Sequence, residues 1–202
     1  MGGTRFWPGA VVYFTIHQSL TAHRVVIFEA FNEYHQNTCI QFRKCQQCSH
    51  YIQLIKSVND TDCSSLIGLK RAHTPQQVFL GKNCLHAGII IHELAHVLGL
   101  IHEHQRPEHK DHIDIHWQNI PDNVTDQFQE LENVTTLSPF DLYAITFYEN
   151  IAFSNNSLKN TITPKHSNFT LPNSSNKPGL SEHDIAGLNK LYNCTTLDAN
   201  NK

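Results

Sequence analysis

No field of one sign of charge exists in this sequence. Lys plus Arg (15) nearly balance Asp plus Glu (18), and charged residues are only 16% of the 202. Such a surface has little to attract a phosphate backbone or an anionic bilayer, which argues against a nucleic-acid partner. An uninterrupted apolar run is also missing. The longest stretch, residues 85–101, is broken by His86, His92, Glu93 and His96. Placing those groups in hydrocarbon is strongly unfavourable, so no membrane span is expected. The opening MGGTRFWPGAVVYFTI lacks the basic start, apolar core and small-residue cleavage site of a signal peptide, and Phe6 stands where a myristoylation pattern requires Ser or Thr. No internal repeat is visible.

What is present points elsewhere. A hydrophobic fraction of 40% is enough for one large domain or two closely packed lobes. The 15 histidines equal all the lysines and arginines together, so the net charge of -3 reverses in mildly acidic medium. Cys39, Cys45, Cys48, Cys63, Cys84 and Cys194 form an even set, and Asn-x-Ser/Thr acceptors occur at Asn59, Asn123, Asn133, Asn155, Asn168, Asn173 and Asn193. Together the two features favour an oxidising, glycosylating compartment, and hence a secreted protein.

Residues 10–16 read as a buried strand, and residues 22–36 carry Val26, Ile27, Ala30, Phe31 and Tyr34 at helical spacing. Short extended segments at 39–43, 51–56 and 77–80 predict a small sheet packed on that helix. From 84 to 98, Ile89, Ile90, Leu94, Val97 and Leu98 predict a second helix, with Gly99 as its left-handed cap. Residues 103–180 are rich in Asn, Ser, Thr and Pro and read as mostly irregular. Ser181 and Asp184 announce a last helix reaching about Tyr192, with Ile185, Leu188 and Leu191 on one face.

The segment HELAHVLGLIH, residues 92–102, carries the chemistry. On a helix His92 and His96 lie one turn apart on one face, where two imidazoles reach one ion. Gly99 lets the backbone turn sharply and bring His102 back as a third ligand. Three histidines leave a fourth position for water, as in catalytic and not structural zinc sites. Glu93 follows the first ligand directly and is suited to take a proton from that water and pass it to a leaving amine. The bland alternative, an amphipathic helix with two histidines at i and i+4, does not account for the glycine and the third histidine.

HExxHxxGxxH is the metzincin signature, and its continuation HEHQR at 102–106 resembles the astacin family. The resemblance runs from RFWPGAVVYF at 5–14 through TCIQF at 38–42 and CLHAGIIIHELAH at 84–96. It continues in SPFDLYAITFY at 138–148, TITPK at 161–165 and LSEHDIAGLNKLYNC at 180–194. It implies a two-lobed α+β zincin fold forming a single catalytic domain, with an N-terminal lobe of about 1–99 and a C-terminal lobe of about 100–202. The activity implied is zinc endopeptidase, with one Zn2+ per chain held by His92, His96 and His102, Glu93 as the base, and a peptide or protein substrate; a monomer is expected.

Tyr148 falls where astacins place a tyrosine that ligates zinc in the free enzyme and swings away to stabilise the oxyanion. The resemblance also implies the pairs Cys39 with Cys194 and Cys63 with Cys84, the first closing a loop of roughly 150 residues worth ~4 kcal/mol in the chain-entropy model. Glu103 corresponds to the residue that in astacins meets the new N-terminus after propeptide removal.

Three segments depart from the family. CQQC at 45–48 reads first as a local disulfide, with a redox pair or a second zinc site as alternatives. Thr146 replaces the methionine of the turn beneath the metal, which threatens site rigidity more than ligand count. PEHKDHI at 107–113 also differs from the usual run. The rival from another class is a catalytically silent astacin-like domain that binds a protein or glycan; a third reading is a small redox protein built on CQQC.

Overall fold

Every residue of VVYFTI is β-branched or aromatic, which suits a pleated, half-buried backbone, and the six form β1 (Val11–Ile16). The computed structural model describes residues 5–70, 74–132, 134–156, 158–166 and 169–194. The acceptor residues Asn133 and Asn168 therefore lie outside the described residues.

Around β1 grows a five-stranded sheet of order β2-β1-β3-β5-β4, built from β2 (Gln41–Lys44), β3 (Ile52–Lys56), β4 (Cys63–Ser65) and β5 (Gln76–Leu80). β1 runs parallel to β2 and β3, and β3 runs parallel to β5. Parallel neighbours require a crossover, and α1 (Arg24–Asn37) supplies it between β1 and β2. α1 starts two residues later than its periodicity predicts, because Gln18–His23 forms a 3-10 turn first. Its buried face is Ile27, Ala30, Phe31 and Tyr34, and Phe31 stacks on Phe42 of β2 with ring centroids 4.5 Å apart.

β4 is antiparallel to β5 and forms one edge of the sheet. Three residues of Cys and Ser carry no strand periodicity, so its pairing follows from the tether between Cys63 and Cys84 and not from pattern. α2 (Ala87–Leu98) begins three residues after the predicted start, since Lys82–Cys84 is a 3-10 turn. Every residue from Ile90 to Leu98 is buried, the polar His92, Glu93 and His96 included. Tyr34 of α1 donates its hydroxyl to the Ile91 carbonyl at 2.6 Å, and Trp7 donates its indole N–H to the Val97 carbonyl at 2.9 Å. α2 is thereby fixed in position from two directions.

The second half is largely irregular. It has a short α3 (His109–His112) and a two-stranded antiparallel sheet of β6 (Ile113–Ile115) and β7 (Ile162–Pro164), which the sequence pattern did not predict. Its own apolar cluster contains Ile113, Ile120, Phe128, Phe147, Ile162 and Leu171, separate from the larger cluster around the sheet and α2. α4 (Glu182–Leu191) opens with a full capping box between Ser181 and Asp184 and returns to the first core through Leu188. The arrangement is α+β.

Disulfides join Cys39 to Cys194, Cys63 to Cys84 and Cys45 to Cys48. The first spans 155 residues and ties the end of α4 to the start of β2; the last spans three. Replacing Cys39 and Cys194 together with Ser is expected to cost about 2–5 kcal/mol, and replacing Cys45 and Cys48 far less. Equal shifts of the denaturation midpoint would contradict this dependence on loop length.

Candidate metal centre

His92 and His96 project from one face of α2, and the helix stops at Gly99, whose φ of 109° only glycine adopts freely. The Gly99 and Leu100 amides bond back to the His96 and Ala95 carbonyls at 2.8 and 3.0 Å, satisfying the helix end and turning the chain. His102 comes back over the helix as a result. The three Nε2 atoms lie 3.0 Å (His92 to His96), 3.1 Å (His96 to His102) and 3.3 Å (His92 to His102) apart.

The opposite ring nitrogens show which tautomer is present. Nδ1 of His92 faces the Ile145 carbonyl at 2.9 Å, and Nδ1 of His96 faces the Leu100 carbonyl at 2.8 Å. A carbonyl only accepts, so each Nδ1 carries the proton. Nδ1 of His102 lies 3.1 Å from Oε1 of Gln105, whose Nε2 donates to the Gln129 carbonyl. All three Nε2 atoms therefore present lone pairs to one another, an arrangement that repels unless a cation sits between them. Burial, reinforced by neighbouring imidazoles for His92 and His102, holds all three below the usual histidine range and keeps them neutral. Zinc with nitrogen ligands at about 2.05 Å in a tetrahedron requires nitrogens roughly 3.3 Å apart, so the residues fit the ion.

Glu93 is buried beside them, its Oε2 2.8 Å from the hydroxyl of Ser65 in β4. Burial pushes its carboxyl up to about 7, opposed by the Ser65 hydrogen bond. The triad, Glu93 and Tyr148 line one cleft of about 900 Å³ together with Cys63, Ser64 and Ser65 of the sheet edge. The Tyr148 ring lies 4.4 Å from the His102 ring, centroid to centroid.

The family model of the astacin peptidases matches residues 2–193. The chain belongs to the astacin family. It is 34% identical over 197 residues to astacin-like metalloprotease toxin 1 of Loxosceles intermedia, a match covering 96% of this chain and 74% of the toxin. It is 34% identical to zinc metalloproteinase nas-4 of Caenorhabditis elegans, covering 98% of this chain but only 62% of that protein. The solved structure of high choriolytic enzyme 1, a hatching enzyme zinc-protease from medaka fish, superposes with a TM-score of 0.82 at 28% identity, covering 95% of this chain and 94% of that one. The zinc cofactor of the family agrees with the histidine triad.

Within this astacin chain, Thr146 is 1% exposed and lines a second cavity behind the triad, with Gly99, Glu103 and Asp184. Glu103 is buried there, paired with Arg106 at 2.6 Å and accepting the Asp141 amide at 2.8 Å. Burial pushes it up to about 7 despite Arg106. The contact expected of it is with a new N-terminus, and residues 1–4 lie outside the described residues. Ser65, Gln105 and the Ile145 carbonyl were not singled out by sequence. Two of them act through ordinary polar side chains in aperiodic segments and the third through backbone, so no pattern marks them.

His104 is fully buried against the His102 and Tyr148 rings, donating Nε2–H to the Gln127 carbonyl at 2.9 Å. Burial lowers it from 6.5 to about 3. Between those values the unfolded chain takes a proton that the folded chain refuses, so its contribution is complete above pH 6.5 and is lost as pH falls toward about 3. In metal-free protein, His104→Phe keeps the stacked ring and is expected to change stability by only about 1 kcal/mol at pH 7, while flattening the decline between pH 6.5 and 4. Urea midpoints across that range give the answer; an unchanged acid slope would remove His104 from the groups responsible.

Proposed function

We propose that this chain is a secreted zinc endopeptidase, a single catalytic domain of two lobes (about 1–99 and 100–202) with the scissile peptide bond held in the cleft between the sheet edge and Tyr148. The observation that carries the reading is the convergence of three neutral Nε2 atoms beside a buried, proton-hungry carboxylate at the floor of an open cleft. His92, His96 and His102 would hold the ion. When bound, zinc supplies Lewis acidity, lowering the pKa of water to about 7 and polarising a carbonyl.

The chain's own groups do the rest. Glu93, buried beside the three ligands with one oxygen on Ser65, takes a proton from the attacking water and returns it to the leaving amine. Ser65 holds one carboxylate oxygen of Glu93. Tyr148 is an additional candidate ligand through its phenolic oxygen, and as a free phenol, its acidity lowered by burial, it is the donor for the oxyanion. β4, at the edge of the sheet and lining the cleft, has the free side on which an extended peptide would pair by strand addition.

Secretion is supported by three disulfides and by exposed acceptors such as Asn59 and Asn155; among the described residues no helix is long and apolar enough to cross a membrane. The closed Cys45–Cys48 pair favours its reading as a local bridge over a zinc site.

Purified protein is expected to cleave a mixed peptide library, to lose activity to a chelator and to regain it with zinc. Glu93→Gln should fold and bind zinc with kcat lower by roughly 10²–10⁴-fold. Full zinc occupancy without cleavage by the parent chain would favour the silent binding domain instead. Tyr148→Phe is expected to lower kcat by roughly 10²-fold with little change in KM, and a KM effect alone would make it a substrate contact.

A further inference from the structure

Behind His92 lies a turn, residues 144–147, held by a buried cation. Lys177 is 5% exposed, and its Nζ donates to the carbonyls of Ala144 at 2.7 Å, Phe147 at 2.6 Å and Ile145 at 3.3 Å. The Ile145 carbonyl is also the acceptor for Nδ1–H of His92. The backbone that carries Lys177 is itself set on α2. A Cβ at Gly88 would sit 2.2 Å from the Ser174 carbonyl oxygen and 2.9 Å from that of Lys177, so the 174–177 segment occupies the space of a side chain on the helix. Gly88 and His92 are one turn apart, hence on one face of α2.

We propose that Lys177 is a positioning residue of the metal centre, its ammonium fixing the 144–147 turn so that the Ile145 carbonyl orients the His92 ring. α2 touches the loop at Gly88, the loop reaches the turn through Lys177, and the turn returns to α2 at His92. The same segment contributes Asn173 and Ser174 to the cleft wall, so ligand orientation and cleft shape share one support.

A buried lysine is costly, and an apolar side chain of similar length would fill the space at less cost. The carboxylates that compensate are Asp184, Asp141, Glu103 and Glu149. Asp184 also accepts the Ile145 amide at 2.7 Å, so the turn is gripped from both sides, by an anion at its N–H and a cation at its carbonyls. Removing a partner that orients a metal-bound imidazole typically weakens metal affinity by roughly 10- to 100-fold.

The inference rests on the zinc-site reading, and its test is metal binding in place of cleavage. The 202-residue chain with Lys177→Met is expected to bind zinc roughly 10- to 100-fold more weakly in chelator competition and to show an altered visible spectrum with Co2+. Lys177→Arg, which keeps a donor, should recover most of the affinity. A Lys177→Met protein with a lower metal-free melting temperature but parental zinc affinity and cobalt spectrum would overturn the proposal, leaving Lys177 a stability residue. If Lys177→Met does not fold, the ammonium of the parent protein decides. Its 15N signal in lysine-labelled protein, assigned by its loss in Lys177→Arg, should shift on zinc loading, and an unmoved signal overturns the proposal. A parent chain that binds zinc and cuts nothing would remove the peptidase reading while leaving the affinity comparison intact.

Discussion

Three protons on three Nδ1 atoms constrain everything else in the molecule. Each is committed to an oxygen that accepts, two of them backbone carbonyls, and this aims three lone pairs into a space about 3 Å across. Without a cation the arrangement is unfavourable, because the imidazoles have lost water and face one another's negative ends. Its cost adds to the burial of Glu93, Glu103 and Asp184, all pushed upward by desolvation. A metal that binds only the folded chain offsets that cost directly, so ion binding and folding are linked.

The two halves of the chain supply different parts of this constraint. The first half gives a rigid axis: α2 lies buried among the sheet and α1, anchored by Tyr34 and Trp7 to its backbone carbonyls. The second half gives acceptors and donors that a straight helix cannot provide for itself, namely the Ile145 carbonyl and, through the 99–106 segment, Gln105. β4 adds Ser65 against Glu93 from the sheet edge. The cleft lies where these contributions meet, which is why its walls alternate between regular and irregular backbone.

Much of the first half was legible because its elements are periodic and its one decisive turn is chemical: α1, α2, β1 and the Gly99 cap follow from spacing and from the one residue that tolerates φ of 109°. The convergence of His92, His96 and His102 follows from the same turn. β4, β6 and β7 were not legible, since three-residue strands held by a disulfide or by neighbouring loops have no room for a period. Ser65 and Lys177 were invisible for another reason. Their partners are a carboxylate 28 residues away and carbonyls at least 30 residues away, and separations of that kind leave no local pattern. The Ser181 capping box was readable because it is closed within one turn.

The substitution at Thr146 can be weighed in these terms. Thr146 lines the rear cavity of about 760 Å³ together with residues of α4 and of the 99–106 segment, and it is smaller than a methionine. Orientation of His92 does not pass through that side chain. It passes through the backbone of the turn, whose Ile145 amide is held by Asp184, whose Ile145 carbonyl receives the His92 proton, and whose Ala144 and Phe147 carbonyls are held by Lys177. A smaller residue at 146 therefore costs packing, on the scale of a partly relaxed cavity, while the ring stays aimed. The loss falls on stability more than on coordination, and a turn with four backbone tethers can absorb it.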